Sequence, residues 1–380
     1  MKYGRPLIRP TKIPDWGVAA ALAVVLIFIL VLRVDRVTVD HPQFAAGGDH
    51  LSYHAMASGQ SGPIWAPFCY RVLVPGLVRV LPLSLESGFY LQTLVFLWAS
   101  GIVLFLVLRE LGENRFFAWS GVVLFFGLNW AGKFTLWNFW LTDPALFFFG
   151  ISAFYAILKN NTPSLVLIVT LGVLAKESMI FILPLYYGYQ ARKFLDWRVA
   201  GKTLLIGLIP LGLILTMRLI ISSPNQIEPL ELFRQIGIPR LSTNLKWTIL
   251  GGTVGTWGIL IFLLALLGFL HQRGLRRAAI FFLPVVYIQP LFAINRDRLL
   301  VFGFILVIPL AVAGMRWIAT RYKLSRWMTI GYVTLPFLFL LLKNDFRPAS
   351  LKLQLMLLAF WSAVVFLAGR MKSSPVSAET

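Results

Sequence analysis

The chain has 380 residues, of which 58% are hydrophobic and 13% charged, and its formal net charge is +20 at pH 7. Soluble domains carry about a quarter charged residues. This composition therefore excludes an ordinary soluble enzyme and predicts an all-α polytopic membrane protein. The single cysteine, Cys69, excludes an internal disulfide framework and any CxxC site. Flanked by Phe68 and Tyr70, it reads as a packing residue.

In chain order, the first apolar run covers about 16–34. It lacks a small-residue cleavage site and ends at Arg33, Asp35 and Arg36, so it reads as an uncleaved first span. Further runs near the length a spanning helix needs cover 88–108, 116–131, 143–158, 163–176, 177–191, 203–221, 247–270, 277–293, 298–317, 327–342 and 350–369. That gives about twelve helices in a single transmembrane domain, 1–380. Basic residues gather in 1–12, 109–115, 192–202, 273–277, 316–326 and 370–372. These are alternate connections, which the positive-inside rule places in the cytoplasm together with both termini. Lys133 and Lys159 tie one pair of loops. The excess positive charge is thus a topological signal, and its dispersal over short loops gives no reason to invoke nucleic acid. The tail 371–380 reads as disordered.

The same layout gathers the unusual polar residues on the extracytoplasmic side. The first long outer loop, 35–87, contains "GGDHLSYHAMASG" with Asp49, His50, Tyr53 and His54. It continues through "YRVLVPGLVRVL", where Arg71 and Arg79 bracket apolar residues, as in a short interfacial helix broken by Pro67, Pro75 and Pro82. Asp143 opens "DPALFFFG", Lys176 and Glu177 interrupt a nearly continuous apolar stretch, and Arg218 lies near the outer end of its helix. A second long outer loop, 222–246, carries Glu228, Glu231, Arg234 and Arg240, and another outer turn holds Arg296, Asp297 and Arg298. Ionisable residues at membrane depth are costly and mark function.

Each candidate has a structural alternative. Asp49 follows two glycines and suits a helix N-cap; Asp143 before Pro144 suits a helix start. His50 and His54, at i and i+4, share a face. With Asp49 they could hold a divalent metal, or they could hydrogen-bond substrate, and no third ligand is evident. Arg71 could snorkel to headgroups. Lys176 could pair with Glu177, and Arg296 and Arg298 with Asp297. Functionally, a carboxylate serves as general base on a hydroxyl, and arginines bind and stabilise phosphate.

Those parts, in an outer loop after the first span and ahead of roughly a dozen helices, resemble the GT-C superfamily of integral-membrane glycosyltransferases. "GGDHLSYHAMASG" and "PFCYRVLVPGL" carry the resemblance, with "LTDPALFFF", "LAKES" and "NRDRLL" in support. The resemblance implies a polyprenyl-phosphate sugar donor and a catalytic acid in the first loop, here Asp49, in a bacterial inner or plasma membrane. Many members carry a paired acidic motif there; this chain has His50 after Asp49, which leaves the metal requirement and the subfamily open. The expected site is Asp49 and Asp143 as carboxylates, with His50, Tyr53, His54, Arg71, Lys176, Glu177, Arg218, Arg296 and Arg298 around donor and acceptor. The competing classes are a secondary transporter, disfavoured by the lack of an internal repeat, and another lipid-linked enzyme such as a polymerase or ligase.

Overall fold

The computed structural model describes residues 15–45, 48–60, 64–223, 238, 241, 245, 252–292, 296–342 and 350–373. Its elements are helical, and no strand occurs among the described residues. In chain order they are α1 (Asp15–Val31), α2 (Pro42–Ala45), α3 (Asp49–Ser58), a 3-10 turn (Phe68–Tyr70), α4 (Leu73–Val80), α5 (Leu85–Glu110), α6 (Arg115–Phe126), α7 (Lys133–Trp137), α8 (Asp143–Leu158) and α9 (Thr162–Ala175). A 3-10 turn (Glu177–Ile182), α10 (Leu183–Gln190) and α11 (Trp197–Ile220) follow. The last third holds α12 (Thr253–Trp257), α13 (Ile259–His271), α14 (Arg273–Ile288), a 3-10 turn (Gln289–Phe292), α15 (Arg296–Leu300), a 3-10 turn (Val301–Gly303), α16 (Phe304–Arg321), α17 (Arg326–Leu341) and α18 (Leu351–Ser373).

Local chemistry sets many of the starts. Ser84, Asn114, Asn161 and Asp196 each accept a backbone N–H from three residues on, at 3.1–3.3 Å, and so cap α5, α6, α9 and α11. Pro144 and Pro163 occupy the first turns of α8 and α9, where no intrahelical N–H is needed. Pro75 sits likewise in the first turn of α4, so it starts that helix rather than breaking it.

Three helical segments among the described residues are long and apolar enough to cross a membrane: Leu85–Glu110, Trp197–Ile220 and Arg298–Arg321. Seven more apolar helices have 10–17 residues, shorter than the roughly 20 that a straight crossing needs. The expected positions hold better than the expected lengths. The run 143–158 is one helix, whereas 177–191 divides into a 3-10 turn and the short α10. Proline at the second position of α10 fits that break. Of the 371–380 tail, 371–373 extend α18 and the rest lies outside the described residues, as do Glu228, Glu231, Arg234 and Arg240.

Packing rests on close backbone approach. α13 and α16 pair most extensively, beside pairings of α5 with α8, α8 with α9, α10 with α14, and α1 with α5. A Cβ on Gly268 would lie 1.8 Å from the Leu310 carbonyl oxygen, and one on Gly314 would lie 2.0 Å from that of Leu264. Only glycine permits this contact. In a lipid environment such contact replaces the hydrophobic effect as the force between helices. Lys133 is fully buried and donates to the Leu340 carbonyl at 2.7 Å. It therefore satisfies a last-turn carbonyl of α17 and complements the negative end of its dipole, which accounts for a lysine that fits no charge rule.

Candidate functional site

The N-terminal ends of α3, α8 and α15 meet the C-terminal end of α9, and this meeting gathers charge. Gly48, at φ 146°, is the N-cap of α3 and makes no side-chain cap. Asp49 is thus the first helical residue, and its carboxylate turns away from its own backbone to accept a hydrogen bond from Arg298 Nη2. The expected side-chain N-cap at Asp49 is not formed. Asp143 behaves in parallel. Thr142 is the N-cap of α8 without a side-chain bond, and Asp143 accepts from Lys176 Nζ at 2.7 Å. Arg298 Nε stands 3.5 Å from the other Asp143 oxygen, an ionic contact too long for a good hydrogen bond. Arg298 therefore links the two carboxylates, 249 and 155 residues away in sequence.

Beside this set lies a second one. Arg71 donates from Nε to Glu177 at 3.0 Å and from Nη1 to the Tyr53 hydroxyl at 2.7 Å. Burial disfavours the Arg71 charge, but Glu177, Tyr53 and Asp49 outweigh it and raise the pKa. Burial also pushes the Tyr53 phenol up to about 12, against Arg71 and Arg298, which lower it. At neutral pH Tyr53 is a neutral hydroxyl that accepts from Arg71 and retains its own proton to donate. Three cations (Arg71, Lys176, Arg298) thus face three carboxylates (Asp49, Asp143, Glu177), which is how buried charge is tolerated.

Exposure grades across the set. The side chains of Asp143 and Lys176 are 2% exposed, that of Arg298 9%, and that of Asp49 15%. Asp49 borders an open cleft of about 650 Å³, whose wall includes Ser52, His54, Gln60, Trp65 and Phe68. Sequence reasoning missed Ser52, Gln60 and Trp65 as cleft residues. Ser52 is three residues after Asp49 on the same helical face and was the legible one; Trp65 is 58% exposed and comes from across the loop.

The histidines take other roles. His50 is buried, and its Nε2 donates to the Phe44 carbonyl at 2.8 Å. Its ring packs on Phe44 at 5.0 Å. His54 packs edge-on against Phe44 and Trp140, both at 5.7 Å. Burial and then His50 lower its pKa, which favours the neutral imidazole. Among the described residues no three His, Cys, Asp or Glu side chains converge as metal ligands. Lys176 bonds Asp143 and Glu177 bonds Arg71, so these sequence neighbours serve different partners. Arg218 lies over the Tyr70 ring at 5.8 Å, and Tyr70 closes the 3-10 turn that directly precedes Arg71. Arg296 belongs to α15, but its side chain and that of Asp297 lie outside the described residues. Cys69 is free and buried, in keeping with a packing role.

No protein-family profile matches the chain. Nor does any curated protein show significant similarity to it.

Proposed function

We propose that the protein is an integral-membrane glycosyltransferase that moves a sugar from a polyprenyl-phosphate donor to an acceptor hydroxyl, on the extracytoplasmic side of a bacterial plasma membrane. The observation that carries this reading is a carboxylate, Asp49, at the edge of an open cleft, held by an arginine that deeper charges fix in place.

In this reading the acceptor oxygen forms a bond to the anomeric carbon while the bond from that carbon to the donor's phosphate oxygen breaks. The electron pair leaves with the polyprenyl phosphate, and the acceptor's proton passes to Asp49. Arg298 couples the two events. In the resting state it neutralises Asp49; a donor phosphate competes for its guanidinium and frees the carboxylate to act as base. Asp143 and Lys176, both behind Arg298, are positioning residues that keep the guanidinium at the cleft. Tyr53 and Glu177 hold Arg71 in the same manner as a second cation for the leaving phosphate. Trp65 and His54 offer ring faces and a neutral imidazole to a sugar in the cleft.

The test uses purified protein in nanodiscs with a panel of polyprenyl-phosphate sugars. Asp49→Asn should lower transfer about 10²–10⁴-fold while donor still binds, and Arg298→Gln should weaken donor binding. Full turnover in Asp49→Asn sinks the assignment. A second reading, an ion-coupled transporter, draws on the Asp143–Lys176 pair, because buried ion pairs between helices also serve proton and ion relays. Substrate counterflow in proteoliposomes without any transfer product would favour it.

A further inference from the structure

The opposite end of the bundle holds a second cleft, of about 670 Å³, where α5 ends, α6 and α17 begin, and α16 ends. α16 has 18 residues, so this end lies about 27 Å from the start of that helix. Arg109, Arg115 and Arg326 line the cleft together with Phe116, Phe117 and Trp119. Asp15 takes part of this charge: Arg115 Nη2 donates to it at 2.7 Å, and Arg109 Nε lies 3.6 Å from its other oxygen. Arg109 also donates from Nη1 to the Glu113 carbonyl at 2.6 Å, while the Glu113 carboxylate is taken by Arg316 at 3.0 Å. Among the described residues the cleft brings together three guanidinium groups and the Asp15 carboxylate, a positive balance. Three buried polar atoms at this end have no hydrogen-bond partner among the described residues: the indole Nε1 of Trp119, the hydroxyl of Ser325 next to Arg326, and Oε2 of the Glu113 carboxylate, whose other oxygen Arg316 holds.

We propose that this cleft binds the phosphate headgroup of an anionic phospholipid. The guanidinium groups of Arg109, Arg115 and Arg326 meet the phosphate oxygens. The rings of Phe116, Phe117 and Trp119 lie where the glycerol and upper acyl carbons would pack, as aromatic side chains do at a membrane interface. The aromatic wall is why the ligand is a lipid rather than free phosphate: an inorganic anion gains nothing from three ring faces. The site is separate from the Asp49 cleft, so it stands or falls independently of the transfer reaction.

The experiment uses the full chain in detergent, loaded with phosphatidylglycerol or phosphatidylcholine and read by native mass spectrometry. Wild type should retain phosphatidylglycerol preferentially. Arg326→Gln removes an exposed guanidinium and should cut that retention about five-fold. Arg115→Gln should do the same, with a thermal melt to confirm the fold, because Arg115 also holds Asp15. Gly212→Ala, in α11 and in the wall of neither cleft, should retain the lipid as wild type does. Retention unchanged in both arginine variants, or displacement of the lipid by millimolar inorganic phosphate, overturns the proposal.

Discussion

Trp197–Ile220 and Arg298–Arg321 are both 24 residues long, and their mean hydropathies are nearly equal, yet the fold treats them oppositely. In the most apolar window of the first, 17% of residues are buried inside the protein; in the second, 94% are. α11 shows Leu204, Leu205, Leu208, Ile209, Leu215 and Leu219 to its surroundings, each more than half exposed. Arg298–Arg321 packs against α13 on one side and α6 on another, and at its head places Arg298 between two carboxylates. Hydropathy measures whether a helix tolerates an apolar medium. It does not distinguish lipid from protein as that medium, because the two are equally apolar. What separates these segments is whether their small residues and charges find partners: Gly314 meets the Leu264 carbonyl and Arg298 meets two carboxylates, whereas a Cβ on Gly201 or Gly212 of α11 meets nothing within 4 Å.

Variants at three places test that contrast. The largest effect is expected at the head of the buried segment. Asp143→Asn leaves Lys176 buried at 2% exposure with its carboxylate partner gone. That should cost about 3–5 kcal/mol, read as a lowered midpoint in SDS-induced unfolding from mixed micelles. Replacing both partners together, Asp143→Leu with Lys176→Met, should recover most of the loss. A double variant as unstable as the single would show that the pair is not what matters. Next comes the helix crossing. Gly268→Ala drives a methyl group into the Leu310 carbonyl and should cost about 1–3 kcal/mol by forcing α13 and α16 apart. The smallest effect, with the opposite sign, belongs to α11. A Cβ on Gly212 meets nothing within 4 Å, so Gly212→Ala should stabilise by about 0.5–1 kcal/mol through helix propensity alone. A loss at Gly212 equal to that at Gly268 would mean that α11 is covered by a partner and would erase the distinction.

Much of this architecture was legible residue by residue. Asp143 followed by Pro144 marked the start of α8, and the uninterrupted apolar run to Leu158 marked its end. "YRVLVPGLVRVL" announced α4, which runs from Leu73 to Val80 and takes in Arg79. The same charged residues that break the apolar pattern, Asp49, Arg71, Asp143, Lys176, Glu177 and Arg298, turn out to share one end of the bundle. Their pairing was not legible. As structural alternatives, local reasoning offered Lys176 its neighbour Glu177, and Asp49 and Asp143 their own helix ends. In the folded chain Lys176 serves Asp143, Glu177 serves Arg71, and Asp49 serves Arg298.

The physical reason divides the two kinds of knowledge. Composition, proline positions and the spacing of charges act over a few residues, so the sequence by itself determined that the chain is helical and apolar, where many of its helices start, and which side chains are too costly to bury without a partner. Which partner each one takes depends on which helix ends meet, and that is settled by glycine contacts such as Gly268 against Leu310 and Gly314 against Leu264. Only the tertiary structure decided that Arg298 stands between Asp49 and Asp143, because an ion pair across 249 residues exists only after the helices have packed.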